Sequence, residues 1–299
     1  MTQATADREL AFTPVYKLTE MIRKKKLSPV ELMEVILKRI KELNPKLNTY
    51  LTVAEESALE GARNAEKAVN AGTRLGPLHG IPTSIKDLVA TKGIRTTFGS
   101  LIYKDNVPDS EGTMVKRLKD AGAIIIGKTN APEFGMCAQT ENKLGDHCRN
   151  PWNLERTSGG SSGGAAAAAA GISPLTQGSD GGGSIRIPAS YCGLYGLKPN
   201  FGRVPKDVAP WGVSHVSCTG PMTWTVKDAA LMMNVISGPD GNDYTCIRTP
   251  SPDFVKALDA KPKKLKIAWS PDLGYGQYGI KVDPEVKLAV EKAVNIFAA

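Results

Sequence analysis

Residues 112–134 read GTMVKRLKDAGAIIIGKTNAPEF, and their pattern decides the fold class. Gly112 to Ala121 reads as a helix. Ala123-Ile124-Ile125-Ile126 is a short, β-branched apolar run, so the helix feeds a buried strand, and a further helix is expected near Pro132. Upstream, Ile81 to Val89 is another short apolar stretch bounded by Gly and Pro, a strand entering a loop. Alternating strands and helices of this kind predict an α/β architecture with a twisted, largely parallel sheet flanked by helices.

The flanks add detail to this centre. Ser28-Pro29-Val30-Glu31 is a capping box with Pro at the first helical position. Leu32, Val35, Ile36, Ile40 and Leu43 follow at helical spacing until Asn44-Pro45 is expected to stop the helix. An Ala-rich helix should run from about Val53 to Ala71 and end at Gly72. Residues 1–75 therefore form a helical N-terminal arm, 76–240 the core, and 241–299 the start of a C-terminal part, within one domain. Later elements are a helix from Val226 to Ser237, capped by Thr225 and Asp228, a strand from Leu265 to Trp269, and a helix from about Pro284. No internal repeat is visible, and Ala165–Ala170 is the only low-complexity run.

The chain has 299 residues, a net charge of +8 and 41% hydrophobic residues, ample for a core. The mean hydropathy of −0.21 is that of an ordinary globular protein, not a disordered one. No stretch approaches the ~20 apolar residues of a membrane span, so no membrane partner is expected. The opening MTQATADREL has acidic residues and no apolar centre, unlike a signal peptide. Five cysteines without a CxxC pair suggest reduced thiols in a cytoplasmic protein and no zinc site. The basic clusters, Arg23 to Lys26 and Lys261, Lys263 and Lys264, carry no interleaved aromatics. They read as solvated faces, and no nucleic-acid partner is expected.

Two pattern matches fail on physical grounds. Gly122 to Thr129 fits the P-loop expression GxxxxGK[ST], but its four intervening residues are the strand itself rather than a phosphate-cradling loop. Gly159 to Gly163 fits GxSxG, yet loop sequence precedes it and only His215 comes after it among three histidines, so a hydrolase elbow with its triad does not form.

The segment from Thr157 to Pro199 carries the chemistry. Two Gly–Ser clusters, Gly159 to Gly164 and Gly178 to Ser184, bracket the Ala run. Gly181, Gly182 and Gly183 before Ser184 allow a tight backbone with several N–H groups pointing one way, a nest able to hold a developing oxyanion. A flexible linker would not be followed by Ile185, Ile187, Tyr191, Leu194 and Leu197. With histidine scarce, a buried neutral lysine is the alternative base, and Lys86, in an apolar strand pattern, is the best candidate.

These residues resemble the amidase signature family of serine amidohydrolases. The resemblance rests on HGIPTSIKD (79–87), GKTNAPEF (127–134), RNPWN (149–153), GGSSGG (159–164), GSDGGGSIRIPASYCGLYGLKP (178–199) and TGPM (219–222), in the family's order. It implies a twisted mixed β-sheet flanked by helices, no metal or cofactor, and a small-molecule amide substrate, with esters or carbamates as side substrates. It further implies Ser184 as nucleophile, Ser161 as a bridging serine held by a cis peptide, and Lys86 as general base. Gly181, Gly182, Gly183 and Ser162 would line the oxyanion and substrate side, with Asp180 and Arg186 as structural supports. Holding Lys86 neutral at pH 7 costs about 4.6 kcal/mol against an ordinary pKa near 10.4, which burial must supply, so Asp87 is expected to point away.

The resemblance also frames the alternatives. One is the A subunit of a glutamyl-tRNA amidotransferase, which uses the same triad to release ammonia within a complex. Others are a basic nucleic-acid- or nucleotide-binding protein and an inactive remnant of the fold. Ser161 and Ser184 stand one residue closer than the family pattern, and a deletion in a helix turns the downstream residues by ~100°, which a loop must absorb. Family members are longer, so a C-terminal truncation is expected after Val294 to Ala299. An incomplete sheet could recruit a second copy, a possible homodimer.

Overall fold

Gln3–Ala11 (α1), Val15–Arg23 (α2) and Pro29–Leu47 (α3) open the chain of a computed structural model that describes residues 2–206, 216–261 and 266–297. The Ser28 hydroxyl accepts the N–H groups of Val30 at 2.9 Å and Glu31 at 3.3 Å, satisfying two orphan donors of α3. The helix does not stop at Asn44-Pro45. Proline removes a single ladder bond there, and the Asn44 side-chain oxygen gathers the Thr49 and Tyr50 N–H groups, both at 2.9 Å, which secures the extra turn. Asn48, at φ 51°, closes it in the left-handed region.

The arm is also not wholly helical. Tyr50–Val53 (β1) is a strand, with Tyr50 opposite Thr129 at the sheet edge, as suits a run of aromatic and β-branched residues. Glu55–Asn70 (α4) follows and buries Ala58, Ala62, Ala65 and Val69 along one stripe. Then come Pro82–Lys86 (β2), Thr113–Asp120 (α5) and Ile124–Thr129 (β3). Beyond them lie the hairpin Arg149–Asn150 (β4) and Asn153–Thr157 (β5), then Gly164–Ala169 (α6) and Leu175–Asp180 (β6). Arg186–Cys192 (α7), Tyr195–Gly196 (β7), Cys218–Thr223 (β8) and Val226–Ile236 (α8) complete the core. Phe254–Ala257 (α9) and Pro284–Asn295 (α10) are the last helices.

The six-stranded sheet has the order β1-β3-β2-β6-β8-β7. Only β2 with β3 and β2 with β6 are parallel; the outer pairings are antiparallel, so the sheet is mixed rather than largely parallel. The parallel centre puts β2 between buried neighbours, and all five of its residues are buried. Every residue of α6 is buried too, since side chains no larger than methyl groups let that helix press against β6 and β8.

Two further expectations change, and the rejection of the P-loop match holds. Near Pro132 there is only a single 3₁₀ turn, Glu133–Gly135, because Phe134 at φ 50° and Gly135 at φ 75° leave the helical region at once. Of the strand expected over Leu265–Trp269, Leu265 lies outside the described residues, as do His215, Lys263 and Lys264. Residues 266–269 form no strand; among the described residues no neighbour pairs with their backbone. Residues 124–129 are strand, so the P-loop match spends its N–H groups on the ladder.

The chain divides into two units, Met1–Leu258, which holds the sheet, and Asp259–Ala299, which holds α10. Within the second, Val286, Leu288 and Val290 are exposed. Among the described residues, no helix is long and apolar enough to cross a membrane.

The β7–β8 edge tolerates no side chain at Gly220, where a Cβ would lie 2.1 Å from the Leu197 carbonyl oxygen. Gly220→Ala is expected to cost about 1–3 kcal/mol and to lower the thermal midpoint by roughly 2–4 °C for each of them. Differential scanning fluorimetry checks this, and an unchanged midpoint would contradict the packing described.

Candidate active site

β2 ends in Lys86, whose register partner on β3 is Thr129. Side chains alternate across a strand, so Ile85 and Asp87 leave on the opposite face. Lys86 is fully buried, and its Nζ donates to Ser161 Oγ at 2.7 Å, to Ser179 Oγ at 3.1 Å and to the Ser179 carbonyl at 3.4 Å. Burial pushes its ammonium down to about 7, with the Asp180 carboxylate opposing that shift. No ion pair joins Lys86 to Asp87; the Asp87 carboxylate instead accepts the Thr97 N–H at 3.0 Å and the Thr97 hydroxyl.

Ser161 follows a cis peptide from Gly160 and is buried. Its loop is tied on both sides: Thr140 Oγ1 donates to the Gly159 carbonyl at 2.8 Å, and the Gly163 N–H to the Asn130 carbonyl at 2.9 Å. Only glycine fits at 160, where a Cβ would stand 2.6 Å from the backbone of Gln139. Ser162, expected on the substrate side, is fully buried. Its hydroxyl donates to the Ser179 carbonyl at 3.3 Å, so it braces β6 instead of facing a ligand.

The nest is built around Asp180. Its carboxylate accepts the N–H groups of Gly183 at 2.7 Å, Ile185 at 3.1 Å and Arg186 at 3.3 Å, and the Arg186 guanidinium at 2.9 and 3.0 Å. These donors outweigh the burial that opposes them and hold its pKa down at about 2. The Gly183 N–H is thus committed to Asp180, and Gly183 contributes the turn, at φ 118°, in place of a free donor. Among the described residues the N–H groups of Gly181, Gly182 and Ser184 have no partner. Gly181 and Gly182 are exposed and Ser184 is half-buried at the head of α7.

The geometry therefore brings Lys86 and Ser161 together, and separately Asp180, Gly183 and Arg186. Among the described residues no hydrogen bond joins the Ser184 hydroxyl to Ser161. Sequence reasoning missed Ser179 and also Gln177, whose Oε1 accepts the Lys86 N–H at 3.0 Å. The available signal was a strand, Leu175–Asp180, that is polar in four of its residues while buried by its neighbours. Among the described residues, no group of three or more His, Cys, Asp and Glu side chains could hold a metal ion.

Comparison with known proteins agrees with this architecture. The family model described as Amidase matches residues 31–299. An acylamidase of Rhodococcus erythropolis is 40% identical over 292 residues, which cover 97% of this chain and 60% of that protein. The A subunit of the glutamyl-tRNA(Gln) amidotransferase of Geobacter metallireducens is 42% identical over 290 residues, or 97% of this chain and 59% of the other. Among solved structures, a bacterial aryl acylamidase of the amidase signature family superposes with a TM-score of 0.78 at 37% identity, covering 83% of this chain and 52% of that one. A 6-aminohexanoate cyclic dimer hydrolase gives 0.87 at 31% identity, covering 96% and 59%. The chain belongs to the amidase signature family, and it spans about 60% of the length of these two curated relatives.

Proposed function

We propose that this chain carries the acylating centre of an enzyme that hydrolyses the C–N bond of small amides. The observation that carries the reading is the buried contact of 2.7 Å between Lys86 Nζ and Ser161 Oγ, with the amine held near neutrality by burial. Neutral Lys86 takes the Ser161 proton as Ser161 takes that of Ser184. The Ser184 oxygen then adds to the amide carbonyl, and the free N–H groups of the nest, those of Gly181, Gly182 and Ser184, receive the oxyanion. As the C–N bond breaks, the proton returns through Ser161 to the departing amine. Water, deprotonated by the same relay, releases the acid and frees Ser184.

The acylamidase relative supports amides of this kind, and esters would pass through the same acyl-enzyme. The 42% identity to the A subunit of an amidotransferase supports a second reading, in which the amide is glutamine and the ammonia is passed on within a complex. Release of amine from a panel of aryl and short-chain amides, with ammonia from glutamine measured beside it, tests both. Turnover of the panel that is absent in Ser184→Ala supports the hydrolase. Turnover of glutamine alone supports the second reading, and turnover retained in Ser184→Ala contradicts both.

A further inference from the structure

A second fully buried lysine, Lys128, lies one residue from the register partner of Lys86, on the other face of the sheet opposite Ile85. Its Nζ donates to Thr96 Oγ1 at 2.9 Å and to the Val89 carbonyl. Val89 stands on the arm of the loop that leaves Lys86, its own N–H bonded to the Lys86 carbonyl at 3.0 Å, and Thr96 stands on the returning arm. Beside it Asp87 grips the same returning arm at Thr97, and its second oxygen, Oδ1, is buried with no hydrogen-bond partner among the described residues. From there the backbone continues toward the candidate site. The Phe98 N–H donates to the Asp87 carbonyl at 3.1 Å, and the Phe134 N–H to the Phe98 carbonyl at 2.9 Å. Phe98 and Phe134 both hold the left-handed conformation, at φ 52° and 50°. Next comes Gly135, where a Cβ would lie 3.6 Å from Ser161 Oγ.

We propose that Lys128 is a positioning residue for Lys86: by pinning both arms of loop 87–97 it fixes the backbone path from Asp87 through Phe98 and Phe134 to Gly135 beside Ser161, and so keeps water from Lys86. The proposal rests on the reading of Lys86 as base. The charged groups concerned are few. Asp180 faces Lys86 from β6, and Asp87 faces Lys128, lowering the ammonium's desolvation burden on that side. Burial pushes Lys128 below its ordinary range and the Asp87 carboxyl above its own. If the loop loosens, water reaches Lys86 and its protonated form recovers.

The test is a direct titration of the Lys86 side chain by NMR on protein labelled at lysine Cε, with the signal assigned from Lys86→Met. Lys128→Met removes the grip together with a charge; Thr96→Val removes one of its acceptors and no charge. The Lys86 midpoint is expected to rise by about one unit in Lys128→Met, a tenfold loss of the neutral form below the midpoint, and by less, with the same sign, in Thr96→Val. Unmoved midpoints in both variants overturn the proposal. So does a shift confined to Lys128→Met, which is the field of the lost charge alone. If Lys128→Met fails to fold, Thr96→Val decides by itself. A wild-type midpoint at the ordinary lysine value contradicts the base assignment as well, whereas a depressed wild-type midpoint with unmoved variants contradicts only the positioning role.

Discussion

Lys86→Met is expected to slow acylation of Ser184 at neutral pH by about 10³-fold, the middle of the range for loss of a positioned general base. Methionine has nearly the same length and no polar atom to bury, so the fully enclosed site accepts it. On the proposed mechanism, what is lost is the acceptor for the Ser161 proton, 2.7 Å away. The pH dependence separates this from a packing defect. In the wild type the neutral amine prevails above about 7, so the rate rises with pH up to that point and then levels; the variant has no such limb. Stability carries the same sign. The folded pKa of Lys86 is depressed, so between about 7 and the unfolded value of 10.5 the unfolded chain binds more protons, and stability increases as pH rises through that window. Lys86→Met removes its share of this increase, while Lys128, also lowered by burial, retains its own. Stopped-flow acylation and urea melts at neutral and alkaline pH measure the two effects.

Asp180→Ala is expected to combine the largest loss of stability with a loss of activity. The carboxylate is fully buried and accepts three backbone N–H groups and the Arg186 guanidinium. Removing it strands those donors at about 1–3 kcal/mol each when they stay dry, and about 3–5 kcal/mol is a reasonable total because water reaches the exposed guanidinium. The turn from Gly181 to Ser184 then loses its anchor, and acylation should fall by about 10²-fold. Acid provides the control. The folded pKa is depressed to about 2 from 3.8, so this carboxylate stabilises the fold above the unfolded value, and the contribution fades as pH falls toward about 2. The wild type should lose stability more steeply than Asp180→Ala across that window. Equal slopes would contradict the assigned role. Arg186→Ala should cost less, because its side chain is 55% exposed.

What could be read from the sequence obeys a physical divide. β3 was legible because a buried strand writes an apolar run, Ile124 to Ile126, β2 because Ile81, Ile85 and Val89 stand beside the punctuating Gly80 and Pro82, and α3 because Ser28 and Pro29 mark its start. The brief strand Tyr50–Val53 was not, because four residues between two helices carry too little alternation to stand out, and its partner at Thr129 is distant in sequence. The Gly-Ser clusters announced a nest, but three successive glycines state freedom and not direction. Only the structure reveals that Asp180 claims the Gly183 N–H and leaves those of its neighbours free. Ser179 and Gln177 left only a faint mark, a stretch of polar residues with no apolar signature of a buried strand, although both touch Lys86. The Lys128 grip on loop 87–97 depends on the register of β2 against β3, which no local pattern encodes.

The most direct measurement is the rate at which a fluorophosphonate captures Ser184 as a function of pH, with peptide mapping of the adduct. A buried lysine acting through Ser161 predicts a single adduct on Ser184, formed at a rate that climbs with pH and levels at about 7. An adduct on another residue, or a rate that keeps climbing to the ordinary lysine range, would contradict it.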